Sequence, residues 1–98
     1  MDLSTITTTL RDKVGAGSSL GATLKFDCGD EGVVVIDGTS TPGTVDNNDR
    51  DTDCTIALSL DTLGELMSGA LNPTTAFMTG RITVSGDMGV ALKLQSVF

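Results

Sequence analysis

Cys28 and Cys54 are the two thiols of a 98-residue chain that has no histidine. The commonest general base and the commonest metal ligand are therefore both missing, which removes most hydrolytic schemes. A cysteine nucleophile needs a neighbouring base to lower its pKa, and neither Cys28 nor Cys54 has a candidate close by in sequence. Two cysteines without histidine make a poor zinc site, and these two form no CxxC pair. Buried, reduced thiols are the expected state, with a disulfide as the alternative.

Three other patterns invite a chemical reading. Asp49, Asp51 and Asp53 alternate like the start of a calcium loop, but such a loop needs glycine where Cys54 stands and glutamate where Leu60 stands. A solvated turn is the reading. Gly15-Ala-Gly17-Ser-Ser-Leu-Gly21 is a poor dinucleotide loop, because its third glycine comes one residue late and the segment precedes a strand when it should follow one. It reads as a helix terminator. Gly80, Gly86 and Gly89 lead to no Lys-Ser or Lys-Thr pair and serve as structural punctuation. No catalytic residue, no metal site and no cofactor is expected.

The formal charge of −7, with six scattered basic residues, opposes nucleic-acid binding, which needs clustered Lys and Arg to neutralise phosphates. It also opposes stable attachment to anionic membranes. With 39% hydrophobic and 19% charged residues the chain reads as globular, and its length suits one domain over residues 1–98. No apolar run approaches the roughly twenty residues that span a bilayer, and Met-Asp-Leu-Ser-Thr lacks a basic region before an apolar core. A cytoplasmic, non-exported protein is expected.

The elements that would position a site follow from periodicity. Leu3, Ile6, Leu10 and Val14 predict an amphipathic helix from residue 2 to about 14, despite four threonines. Leu20, Ala22, Leu24, Phe26 and Cys28 alternate with small or polar residues as a strand with one wet side. Gly29-Asp-Glu-Gly32 turns the chain into Val33–Ile36, where the alternation blurs and suggests burial on both faces. Gly43–Val45 is a short strand before the acidic stretch 46–53. Cys54, Ile56 and Leu58 alternate as another strand. Thr62 and Glu65 have capping-box spacing, and Leu60, Leu63, Leu66 and Met67 form a stripe that Gly69 closes.

From Leu71 to Gln95 nearly every backbone break has a physical cause. Asn72 is a good N-cap and Pro73 a good first helical residue. Phe77 and Met78 follow on a short helix that Gly80 ends. Arg81–Ser85 alternates, so Ile82 and Val84 share one strand face, and Gly86-Asp87 turns into a last helix. Met67, Met78 and Met88 stand in or beside this segment. They fit either a gap-filled core or a lipid-lined pocket. An α+β fold follows: a single mixed sheet of about five strands with helices mainly on one side.

Asp53-Cys-Thr-Ile56, Met67-Ser-Gly69, Leu71-Asn-Pro73, Ala76-Phe-Met-Thr-Gly80 and Gly86-Asp-Met-Gly-Val-Ala-Leu-Lys-Leu-Gln95 together resemble the sterol carrier protein two-like domains, over about residues 20–95. The resemblance implies a twisted sheet and helices enclosing an apolar tunnel for sterols, fatty acids, fatty acyl-CoA or similar amphiphiles, without catalysis. It implies tunnel-lining roles for Leu63, Met67, Phe77, Met78, Ile82, Val84, Met88, Leu92 and Gln95, whose amide would meet a head group or be hydrated at the surface. A charged residue at Met78 is then expected to abolish lipid uptake. Either the short helix 72–80 or the terminal helix would act as a lid. The chain lacks the extended or Ser-Lys-Leu tail of some relatives, so a more open tunnel, or one closed by a second copy in a homodimer, is expected. The rival reading is an accessory module that presents a hydrophobic substrate to a partner enzyme of lipid or quinone metabolism. Bulk free thiol released from acyl-CoA thioesters would mark an enzyme instead.

Overall fold

Residues 22 to 28 alternate between buried and half-buried positions, and this strand becomes the centre of the molecule. The computed structural model describes residues 2–15, 21–39 and 43–93. Helix α1 (Leu3–Gly15) is followed by β1 (Thr23–Asp27), a single 3-10 turn (Gly29–Glu31), β2 (Val33–Asp37), β3 (Thr44–Asp46) and β4 (Cys54–Ala57). Then come α2 (Leu60–Ser68), α3 (Pro73–Met78), β5 (Thr83–Gly86) and α4 (Met88–Leu92). The five strands form one mixed sheet in the order β3-β2-β1-β4-β5. β1 pairs antiparallel with β2 and parallel with β4, and β5 pairs antiparallel with β4. The α+β architecture with one mixed five-stranded sheet is as the periodicity predicts.

Register decides what each face does. Val45, Ile36, Leu24 and Cys54 are successive partners across the sheet, as are Val34, Phe26, Ile56 and Val84. These residues make one apolar face. Ile6 and Leu10 of α1, Leu63 and Leu66 of α2, Ala76 of α3 and Val90 of α4 join it in a single hydrophobic cluster. Packing of this kind supplies the stability that four-to-six-residue strands and helices cannot supply by themselves. The threonines of α1 are accommodated because Thr7, Thr8 and Thr9 turn their hydroxyls back to the carbonyls of Leu3, Ser4 and Thr5, at 2.8, 3.0 and 2.9 Å.

The second face carries Thr23, Lys25, Asp27 and Thr55, yet Val35 beside Lys25 is fully buried. Its cover comes from the connection between β3 and β4, which has to travel from the sheet edge past β2 and β1. Lys25 Nζ donates to Asp49 Oδ1 at 2.8 Å and to the Arg50 carbonyl at 2.9 Å, pinning that connection across the face. The burial of Val34, Val35 and Ile36 in a row is the two-sided burial that their blurred alternation predicts. Asp53 accepts the Thr23 amide while Asp49 pairs with Lys25, so the acidic run is divided among separate partners.

Local caps place the helices that follow. Ser59 accepts the Thr62 amide at 3.1 Å and caps α2, which ends at Gly69 in the left-handed conformation. This corrects the capping box expected at Thr62 and Glu65. Thr62 is buried inside the first turn, and Glu65 is paired with Arg81 instead. Asn72 accepts the Thr74 amide at 2.8 Å with Pro73 first in α3, as expected. Asp87 caps α4 by accepting the Gly89 amide at 2.8 Å. The last strand starts at Thr83, not Arg81, leaving Ile82 as a buried anchor just before it.

Cys28 and Cys54 are free and buried. Leu24, four residues before Cys28, is the register partner of Cys54, so the two thiols lie toward opposite ends of neighbouring strands. Among the described residues no helix is long and apolar enough to cross a membrane.

Candidate functional site

Ile56 and Val84 face each other across the β4–β5 pair, and the last two short helices stand on either side of them. Pro73, Thr74 and Phe77 recur at helical spacing along one side of α3. Met88, Ala91 and Leu92 do the same on α4. With Ile82 these residues line a cleft of about 150 Å³ in which Thr74 is the one polar member. The opposite sides of the same helices are anchored inward by Ala76 and Val90, both buried. Each short helix is thus held by one core residue and presents its other apolar residues to the cleft.

Depth follows from the sheet. Ile56 on the floor is fully buried and Ile82 nearly so, whereas Phe77 and Met88 are each 49% exposed and Leu92 is 73% exposed. The described residues therefore form a cleft with an exposed apolar rim, where an enclosed tunnel was expected. A cleft of this volume has room for a benzene-sized apolar group. A longer chain lodged here must run out over the rim or push the helices apart.

Of the predicted lining residues, the structure brings Phe77, Ile82, Val84, Met88 and Leu92 together. Leu63 is fully buried in the core cluster. Met67 packs half-buried beside a broader depression of about 440 Å³, whose walls include Ser68, Gly69 and Asn72. Met78 is 79% exposed and lies off the cleft lining. Gln95 lies outside the described residues. Ile56, Pro73, Thr74 and Ala91 line the cleft without having been singled out. Ala91 was detectable as the residue three after Met88 on a helix, but Ile56 needed the β4–β5 register.

The charged groups near the cleft are engaged elsewhere. Arg81 donates to Glu65 and, at 3.3 Å, to Thr62 Oγ1, tying the turn after α3 to α2. Burial raises the Cys54 thiol pKa, with the Asp87 carboxylate adding to it. Burial, then the charges of Asp27 and Glu31, pushes Cys28 up to about 11. Both thiols stay protonated at neutral pH, which leaves them without nucleophilic character. Among the described residues no group of three or more His, Cys, Asp or Glu side chains could hold a metal.

Residues 6–98 match the SCP-2 sterol transfer family. The chain belongs to this family. Within it, the sterol carrier protein 2 of Gallus gallus is 43% identical over 70 residues, which is 70% of this chain and 13% of that protein. The chain thus spans about 13% of the length of that curated relative. The hydroxysteroid dehydrogenase-like protein 2 of Danio rerio is 34% identical over 77 residues, covering 74% of this chain and 19% of that protein. The solution structure of palmitated SCP2L2 from Aedes aegypti superposes with a TM-score of 0.79 at 24% identity, over 99% of this chain and 94% of that one. This likeness establishes the SCP-2 fold.

Proposed function

We propose that this SCP-2 family chain takes the apolar portion of a lipid, such as a fatty acid, fatty acyl-CoA or sterol-like molecule, into the cleft between α3 and α4. It carries that lipid between sites without chemically changing it, as a single carrier domain in the cytoplasm. The observation that carries this reading is the convergence of Ile56, Phe77, Ile82, Val84, Met88 and Leu92 on one cleft with a single polar neighbour.

The energetics suit a carrier. Each methylene withdrawn from water contributes about 0.8 kcal/mol, so a cleft that takes only part of a chain gives moderate affinity and tolerates different ligands. Unbranched methionine at position 88 adapts to their shapes. Loading moves α3, which is bounded by Asn72 and Gly80, away from α4. That motion widens the cleft beyond its resting volume toward Leu63 beneath it, while Met78 stays on the outer surface. For Gln95, the family resemblance alone suggests a contact with the lipid head group.

A titration with a fluorescent fatty acid tests this, with palmitate as competitor because a relative of the same fold is known in palmitated form. Saturable micromolar binding, displacement by palmitate and a raised melting temperature are expected. A flat titration with an unchanged melting temperature overturns the reading.

A second reading has support of its own. Met78 is exposed on the outer side of the cleft helices, and the Danio rerio relative carries a matching segment within a much longer dehydrogenase-like protein. In this reading the apolar rim docks a partner enzyme, or a second copy, and presents a hydrophobic substrate to it. Native mass spectrometry of freshly purified protein separates the two. Co-purified lipid marks the carrier, and a bare or oligomeric protein marks the docking module.

A further inference from the structure

We propose that Met88 is a site of reversible oxidation by peroxides, and that its sulfoxide switches the cleft from lipid-accepting to lipid-rejecting. The inference rests on the carrier reading and adds regulation to it.

Three observations converge on Met88. It is the one methionine among the cleft-lining residues, and it is half exposed, so a peroxide reaches its sulfur from solvent or from a bound lipid. Other oxidisable sulfurs among the described residues are placed differently. Met67 packs half-buried against the core, and Cys28 and Cys54 are buried. Met78 is more exposed than Met88 but lies off the lining. Oxidation at position 78 therefore changes the outer surface, whereas oxidation at position 88 changes the wall.

The chemistry needs no partner base, which suits a site without one. The thioether sulfur attacks one oxygen of the peroxide. An S–O bond forms to the terminal, proton-bearing oxygen as the O–O bond breaks, the sulfur loses two electrons, and the proton on the transferred oxygen passes to the departing oxygen, which leaves as water or an alcohol. A hydroperoxide carried on the cargo lipid would supply the same oxidant class in place. The product is a polar sulfoxide in a wall whose only other polar residue is Thr74. Covering it with an alkyl chain strips its hydration without a compensating hydrogen bond, which weakens binding by roughly tenfold. Sulfoxide reductases, one for each epimer, restore the thioether.

The test titrates a fluorescent fatty acid into reduced protein, peroxide-treated protein, and treated protein repaired with both reductases. Peptide mapping assigns each oxidised methionine, and circular dichroism checks the fold. Met88 is expected to oxidise before Met67, with affinity falling roughly tenfold and returning on repair. In Met88→Leu the ratio of affinities before and after peroxide should be close to one, while in Met78→Leu it should match the unsubstituted protein. Unchanged affinity in protein oxidised at Met88, or an equal loss in Met88→Leu, overturns the switch alone. Reduced protein that binds no probe overturns the carrier reading, and this inference with it.

Discussion

The carbonyl oxygen of Asp53 accepts the backbone amide of Asp87 at 2.8 Å, joining the start of β4 to the start of α4. Gly86 makes that approach possible. It lies opposite Cys54 with φ +92, and a Cβ on it would sit 2.4 Å from the Asp53 oxygen. Gly86→Ala is therefore expected to cost about 2–4 kcal/mol, combining a left-handed backbone with a collision against main chain that cannot swing aside. Urea denaturation measures it, and a loss below 1 kcal/mol would show that β5 can shift to relieve the contact.

Charge at the cleft should separate binding from folding. Met88→Lys places an ammonium on the lining of the cleft at a half-exposed position, so lipid affinity is expected to fall more than tenfold while the melting temperature changes little. Met78→Lys, off the lining, is expected to leave affinity within about twofold, since exposed substitutions away from packed features have small effects. This moves the sensitive position from Met78, where the sequence alone puts it, to Met88. Parallel fluorescence titrations of the two variants decide between them.

Stability should decline in alkali through the buried thiols. Cys28 ionises near the ordinary value of 9.0 when unfolded and at about 11 when folded. Between these values the unfolded chain loses a proton that the folded chain keeps, so the equilibrium shifts toward unfolding as pH rises. The contribution is intact below pH 9 and is lost progressively toward pH 11, by about 2 kcal/mol from this residue. Cys54 shifts in the same direction. Denaturation midpoints across this range should fall, and Cys28→Ala should flatten the slope.

The N-caps of α2 and α3 should differ in reach. Ser59→Ala removes the acceptor for the Thr62 amide at the start of α2, whose Leu63 and Leu66 belong to the core. It is expected to lower global stability by about 1 kcal/mol. Asn72→Ala removes the cap of α3, a six-residue helix on the cleft wall. Faster amide exchange in α3 and weaker lipid binding are expected there, with a smaller effect on global unfolding.

How far these features were readable from residues depends on the range of the forces that set them. Asn72, Pro73, Gly80 and Asp87 act on their immediate neighbours, and their roles in starting or ending short helices follow from side-chain chemistry. Leu24 and Phe26 were readable because β1 alternates apolar residues with Thr23, Lys25 and Asp27. Ser59 and Thr62 are both hydroxyl residues within one turn, and only the burial of Thr62 against the core decides which of them caps. Phe77 and Met78 are consecutive on a helix, so they point about 100° apart. Which of them turns to the cleft is decided by the sheet beneath and by Ala76, which anchors α3 inward. Ile56 joins the cleft through pairing with a strand nearly thirty residues later, a relationship that alternation within β4 does not contain.

The parallel contact of β1 with β4 has a kinetic side. β1 and β2 are joined by a tight turn and can pair while the rest of the chain is still unstructured. Thr23 and Asp53, whose two hydrogen bonds help to close the β1–β4 seam, are thirty residues apart. That seam must wait for a long loop to close, and so must the β4–β5 pair whose Ile56 and Val84 floor the cleft. The walls that would hold a lipid are thus assembled late in folding, and a ligand present at that stage would act on the molecule as it completes itself.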